Sequence, residues 1–421
     1  MTWRRLVAGG SVVAAVLGLV PAASPQAQAP TGVPARVVKV VGDAHHLLLR
    51  ADGTVAGWGR YKHGQLGPVA AITATPRGAS NALVAIALPS KAVDIAANSN
   101  ASYALLDDGT VLAWGRGDVG QLGTGPAKPP RLATSEPSFE YRGIETPTRV
   151  PGVVDAVAIA AANDSAYAVL RDGTVRAWGG ANIGDGRAKS DFSGPPSTAG
   201  PAFLPVKVPD LENVVAMSAG NGHVLALTKE GHVFSWGSNF HGALGRPPRV
   251  ELALDRAGEV PNLADVVQVA AGWGISTVLK KDGTVWVWGS NFQQQFGFPA
   301  PTVQPGPNQG WVLEPQQVPG LTNVTAISAG GRHTVVLLKD GTLRAWGNTD
   351  WGQVGNGAGP GFQPKPVAPK IANVAAVFAA GDNTLAVLRD GSLWAWGTGN
   401  ANEFPLASHT RVPTVAPPGL R

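Results

Sequence analysis

The sequence contains no cysteine. That excludes disulfides, thiolate metal sites, cysteine nucleophiles and a lipid-modified cysteine anchor. Charge is scarce as well, with Asp, Glu, Lys and Arg making up 14% of the chain. The net charge is +5, and +3 without Arg4 and Arg5; the basic residues are scattered among acidic ones. No basic stripe is long enough for a nucleic-acid footprint, so no nucleic-acid partner is expected. Catalytic signatures are missing too: there is no H-E-x-x-H, G-x-S-x-G, P-loop or EF-hand loop. Gly115 to Gly120 fits G-x-G-x-x-G, but no strand–helix–strand pattern surrounds it. Acidic residues cluster at repeated turns, which does not suggest a glycosidase carboxylate pair. The expectation is a non-enzymatic protein with no cofactor and no metal.

Glycine (55) and proline (35) are abundant, while 44% of residues are hydrophobic. The first fact suits many short strands joined by turns. The second, with its clear periodicity, argues against disorder.

One octapeptide organises the chain. It reads DGTVWVWG from Asp282, and six variants start at Asp52, Asp108, Asp172, Glu230, Asp340 and Asp390. Each ends in Trp-Gly, at Gly59, Gly115, Gly179, Gly237, Gly289, Gly347 and Gly397. The separations are 56, 64, 58, 52, 58 and 50 residues. A recurrence at this period means a repeat architecture.

Each unit reads as four strands. In the fourth, Asn213–Gly220 is strand A, His223–Thr228 is strand B and the octapeptide from Glu230 is strand C. The Pro-Val-rich stretch at 259–263 is strand D. Ala-rich runs such as 155–162 have helical propensity, but their length and terminal Gly or Asn favour strands. Seven four-stranded units predict an all-β, seven-bladed β-propeller. The first unit opens on strand A with no good D stretch ahead of it, and Arg411–Leu420 is a D stretch with no unit after it. The C-terminal strand is therefore expected to pair into the first blade and close the ring, which would leave no open sheet edge.

These units resemble the repeats of the regulator of chromosome condensation family. The resemblance rests on Gly42/His45, Gly220/His223 and Gly330/His333, on the octapeptides, and on W-G-x-x-x-x-G-Q-L-G, complete from Trp58 and from Trp114. Sequences from Trp236 and Trp346 are close to it, that from Trp288 is looser, and those from Trp178 and Trp396 have lost the ending. The resemblance implies a seven-bladed propeller over nearly the whole chain, and with the N-terminal layout described below the chain is expected to be a secreted bacterial-type member. The resemblance says little about function, because fold does not dictate function.

Strand parity puts the A–B and C–D loops on one face and the Asp-Gly turns on the other. All long inserts, roughly 68–81, 124–146, 184–203, 246–258, 298–314 and 356–364, then share the first face, which is where partner binding is expected. Candidate partner-binding residues are Tyr61, His63, Asp118, Phe240, His241, Phe292, Asp350 and Trp351, because aromatics on a concave face serve as recognition hot spots. The competing expectation is that they pack between blades. The motif tryptophans Trp58, Trp114, Trp178, Trp236, Trp288, Trp346 and Trp396 are expected to be structural. The recurring His45, His223 and His333 are expected to hydrogen-bond rather than bind metal.

Arg4 and Arg5, the apolar run Leu6–Val20 and the small residues after it form a secretory signal layout. The expected organisation is a signal peptide and short leader at 1–29 and a single propeller at 30–421. The location would be extracellular, or periplasmic in a cell with an outer membrane, with no membrane contact beyond the signal and a monomeric state. The leading functional expectation is a secreted scaffold binding a protein. Alternatives are an inhibitor of β-lactamases or penicillin-binding enzymes, nucleotide exchange on a small GTPase, and a carbohydrate-active propeller enzyme.

Overall fold

The computed structural model describes residues 35–68, 79–126, 143–180, 182–186, 201–239, 241–246, 253–292, 295–298, 310–399 and 409–416. The expected signal segment and Phe240 lie outside them. The described residues form seven antiparallel four-stranded sheets. Blade one is A (Val37–Gly42), B (His45–Arg50), C (Val55–Arg60) and D (Ala79–Ile86). Every blade repeats that order with consecutive strands. The Ala-rich run is a strand, Ala156–Ala162. Its residues are small because the A strands crowd around the ring axis, each touching the A strands of both neighbouring blades.

Ring closure differs from the expectation. The C-terminal strand Thr410–Val415 pairs with Leu393–Gly397 of its own blade, not with blade one. Blade one is completed by its own D strand, Ala79–Ile86. The Pro-Val-rich stretches misled because the D strands begin earlier, inside the ends of the inserts: Ala253–Glu259 in blade four and Trp311–Gln317 in blade five. No shared strand is therefore needed to close the circle. It closes by packing: Phe378, Leu385 and Leu393 of blade seven share a core with Val40, Leu48 and Trp58 of blade one.

All seven seams are built this way. There are seven hydrophobic clusters among the described residues, one per seam, and each holds one motif tryptophan. The seven indoles are fully buried. The Asp-Gly turns set the register between B and C. In the turn at Asp282, Oδ1 accepts from the Thr284 backbone N–H at 2.9 Å and the Thr284 hydroxyl at 2.7 Å. Gly283 adopts φ +81°, a conformation that glycine enters freely. The same bonds recur at Asp52, Asp172, Asp340 and Asp390. Those bonds hold each carboxyl below its ordinary range.

Candidate functional site

The A–B and C–D loops share one face, as strand parity requires of antiparallel blades. The C–D loops also carry the seam clasp. In the seam between blades four and five, the Ala243 carbonyl accepts from Trp288 Nε1 at 2.8 Å and from the Ser276 hydroxyl at 2.8 Å. His223 Nε2 meets Ser276 Oγ at 2.9 Å. The same chain runs His45–Ser102–Gln65 with Trp114, and His333–Thr384–Gln353 with Trp396. The three recurring histidines are thus inter-blade hydrogen-bonding groups. Burial holds His45 and His333 at about 3 and His223 at about 4, so all are neutral imidazoles near pH 7.

The last glycine faces the next blade's indole in five of the loops, at Gly123, Gly184, Gly245, Gly297 and Gly355, whereas Gly67 has only the Glu145 carbonyl near it. A Cβ on Gly245 would lie 2.6 Å from Trp288, and one on Gly355 would lie 2.5 Å from Trp396. The loop after Trp178 keeps this ending. It is three residues shorter, so Asn182, Ile183 and Gly184 take the places of Gln121, Leu122 and Gly123. Ile183 is buried, and the Asn182 carbonyl accepts from Trp236 Nε1 and from the Tyr167 hydroxyl.

Against this frame, the candidate residues separate. Asp118 is a loop clamp: its carboxylate accepts from Arg116 at 2.7 Å and from Gln121 at 3.2 Å. Burial pushes its carboxyl up, but the hydrogen bond and charge of Arg116, with the Gln121 bond, together outweigh that and hold it below the ordinary range. Asp350 is another clamp, accepting from Asn348 Nδ2 at 2.8 Å and the Gly361 N–H at 3.0 Å. Tyr61 and His63 are half-buried, and the His63 backbone N–H bonds Gln65 Oε1. Phe292 and Trp351 remain, 53% and 41% exposed.

Two carboxylate pairs also stand on this face, where sequence reasoning expected none. Asp164 and Asp382 occupy equivalent A–B loop positions. Burial raises each carboxyl, nearby Arg116 and Arg332 respectively lower it, and the neighbouring Asp118 or Asp350 raises it again.

Phe292 belongs to a three-ring cluster. It meets Trp311 edge-on at 6.4 Å, and His241 meets Phe292 at 6.0 Å and Trp311 at 5.6 Å. His241 holds φ +100°, an unusual conformation outside glycine, and burial lowers its pKa. A Cβ on Gly274 would lie 2.8 Å from His241 Nδ1, so the cluster continues inward to the loop bearing Trp273. Trp273 carries Arg332 over its ring at 5.1 Å. Trp351 packs against His409 at 4.8 Å. Trp273, Trp311 and His409 were missed in the sequence. Trp311 lay in a stretch that reads as insert, but Trp273 could have been noticed as the one aromatic in an otherwise small-residue A–B loop.

A protein-family model described as an RCC1-like domain matches residues 133–419, more than half of the chain. The chain belongs to that family. A second model, the regulator of chromosome condensation (RCC1) repeat, matches residues 92–121 of this RCC1-like chain. Among curated relatives, human E3 ubiquitin-protein ligase HERC2 is 30% identical over 266 residues, 61% of this chain and 5% of HERC2. The mitochondrial RCC1 domain-containing protein RUG3 of Arabidopsis thaliana is 29% identical over 71% of this chain and 64% of its own length. The chain thus spans less than two thirds of these relatives. Among solved structures, Prp20p of Saccharomyces cerevisiae superposes with TM-score 0.70 at 23% identity, covering 88% of this chain and 87% of that one. Human WBSCR16 superposes with TM-score 0.68 at 18% identity, covering 86% and 94%. Both likenesses concern the fold.

Proposed function

We propose that this RCC1-like propeller is a secreted, non-enzymatic scaffold that binds a protein partner through its loop face. The observation carrying this reading is the half-exposed Phe292, supported by Trp311 and His241 on the face that also presents Trp351. Aromatic anchors braced at their edges are the groups that dominate protein interfaces. The Prp20p structure is described with its binding to Gsp1p and histones, which is consistent with a protein-binding role for such a ring. Secretion rests on the layout of Arg4, Arg5 and Leu6–Val20. Sequencing the N-terminus of protein recovered from culture medium tests it, since an intact Met1 on cell-retained protein would remove this part.

The partner test is quantitative affinity capture from the native secretome with wild type and a Phe292→Ala/Trp351→Ala double variant. Loss of one specific captured protein, with unchanged thermal unfolding, supports the loop-face site. Equal capture moves the site elsewhere.

A further inference from the structure

The A–B loops of all seven blades meet on the ring axis, and there they line a half-open cavity of about 40 Å³ at the centre of the loop face. Glycines allow this convergence. A Cβ on Gly220 would lie 2.2 Å from the Gly272 carbonyl, and one on Gly272 would lie 2.4 Å from the Gly330 carbonyl. Among the described residues, no Lys, Arg or His lines the cavity, and Asp43 is the one charged residue there. We propose that this axial mouth takes a primary ammonium group, the head of a lysine that the partner presents. This deepens the loop-face reading and rests on it.

The polar part of the lining offers several acceptors. Asp43 supplies a carboxylate, with Oδ1 at 2.6 Å from where a Gly381 Cβ would stand. Asn163 and Asn221 add amides. The Gly272 and Gly331 carbonyls each receive one backbone N–H, from Asn221 and Trp273, and a carbonyl oxygen has a second lone pair. The volume is ample for a group of about water size, which needs roughly 10–15 Å³ of such space. An ammonium is such a group, compact and with three donors, whereas a guanidinium spreads five donors over a plane. A carboxylate would face Asp43. Trp273 lines the mouth with an electron-rich ring that already attracts one cation, Arg332. The charge of Arg332 is offset in turn by Asp382. Lysine insertion would place the partner's flanking residues over blade five, against His241, Phe292 and Trp311.

The probe is n-butylammonium, titrated into the mature full chain and followed by the indole N–H resonance of Trp273, assigned with Trp273→Phe. The expected result is a saturable shift that n-butanol does not produce, with affinity roughly tenfold lower in Asp43→Asn, as befits loss of one charge-assisted hydrogen bond. An equal response to n-butanol, an Asp43→Asn affinity equal to wild type, or no shift would each overturn the proposal. Capture by the Phe292→Ala/Trp351→Ala variant, run in parallel, separates the two ideas. Amine binding that fails while that variant still loses its partner sinks only the ammonium site. Amine binding that succeeds while capture is unaffected sinks the loop-face reading.

Discussion

At the scale of single residues, buried imidazoles and glycines carry the strongest consequences. His45, His46 and His333 are held at about 3 and His223 at about 4, each by burial first. The unfolded value is about 6.5, so between roughly pH 6.5 and 3 the unfolded chain binds more protons than the folded ring. Stability is therefore complete above pH 6.5 and declines as pH falls through that window, by up to ~1.4 kcal/mol per pH unit for each histidine. Carboxylates such as Asp282, held below 3.8, act in the same direction only near and below that lower value. Urea unfolding between pH 7 and 4 should show the decline, and His223→Gln should reduce its slope by about one proton. A wild-type midpoint that is flat over this range would contradict the buried neutral state. For glycine, Gly245→Ala should cost about 2–4 kcal/mol, because a methyl group meets Trp288 in a backbone with φ +65°. Gly320→Ala, at φ +68° with nothing within 4 Å, should cost only about 1 kcal/mol. Denaturation midpoints of the two variants separate strain from crowding.

At the scale of strands and loops, the clasp ties one blade's loop to the next blade's B strand and indole. Ser276→Ala removes the group between His223 and the Ala243 carbonyl. It should destabilise by about 1–3 kcal/mol, since it leaves a buried ring nitrogen without that partner. Combined with His223→Gln in a double-mutant cycle, the losses should fall short of additive. Much of this level was legible beforehand. The octapeptide gave strand C and its turn because Asp, Gly and Thr each meet a local, short-range requirement. The fixed Trp-Gly ending gave the packing role of seven tryptophans for the same reason. The D strands were harder. They pair with strand C across inserts of differing length, and residues such as Thr146 and Gln316 carry little alternation to mark them. Asp118 and Asp350 looked like binding groups because a sequence does not show that Arg116, Gln121 or Asn348 folds back onto them. The cluster of His241, Phe292 and Trp311 was half legible, since Trp311 joins it only through the pairing of Trp311 with Ser290 across an insert.

At the scale of the whole molecule, six seams join blades that are also connected in sequence, while blades seven and one, at opposite ends of the described chain, meet through the packing of their side chains. A covalent link keeps a loosened neighbour at high effective concentration. The unlinked seam should therefore open first. Hydrogen exchange followed by mass spectrometry should show faster exchange in Val37–Gly42 and Val374–Ala380 than in Val214–Ala219 and Val266–Ala271. Equal rates would mean that packing alone sets seam strength.

The strand order within each blade also bears on how such a ring changes over generations. Because each sheet is one unbroken stretch of chain, duplication of a single stretch of coding DNA would add a complete blade with all its ladders intact. Had the ring been fastened by a shared strand, the duplicated stretch would have had to straddle two sheets. Here the unit that genetics can copy and the unit that folds coincide, so the loop face can diversify blade by blade while the clasp is inherited whole.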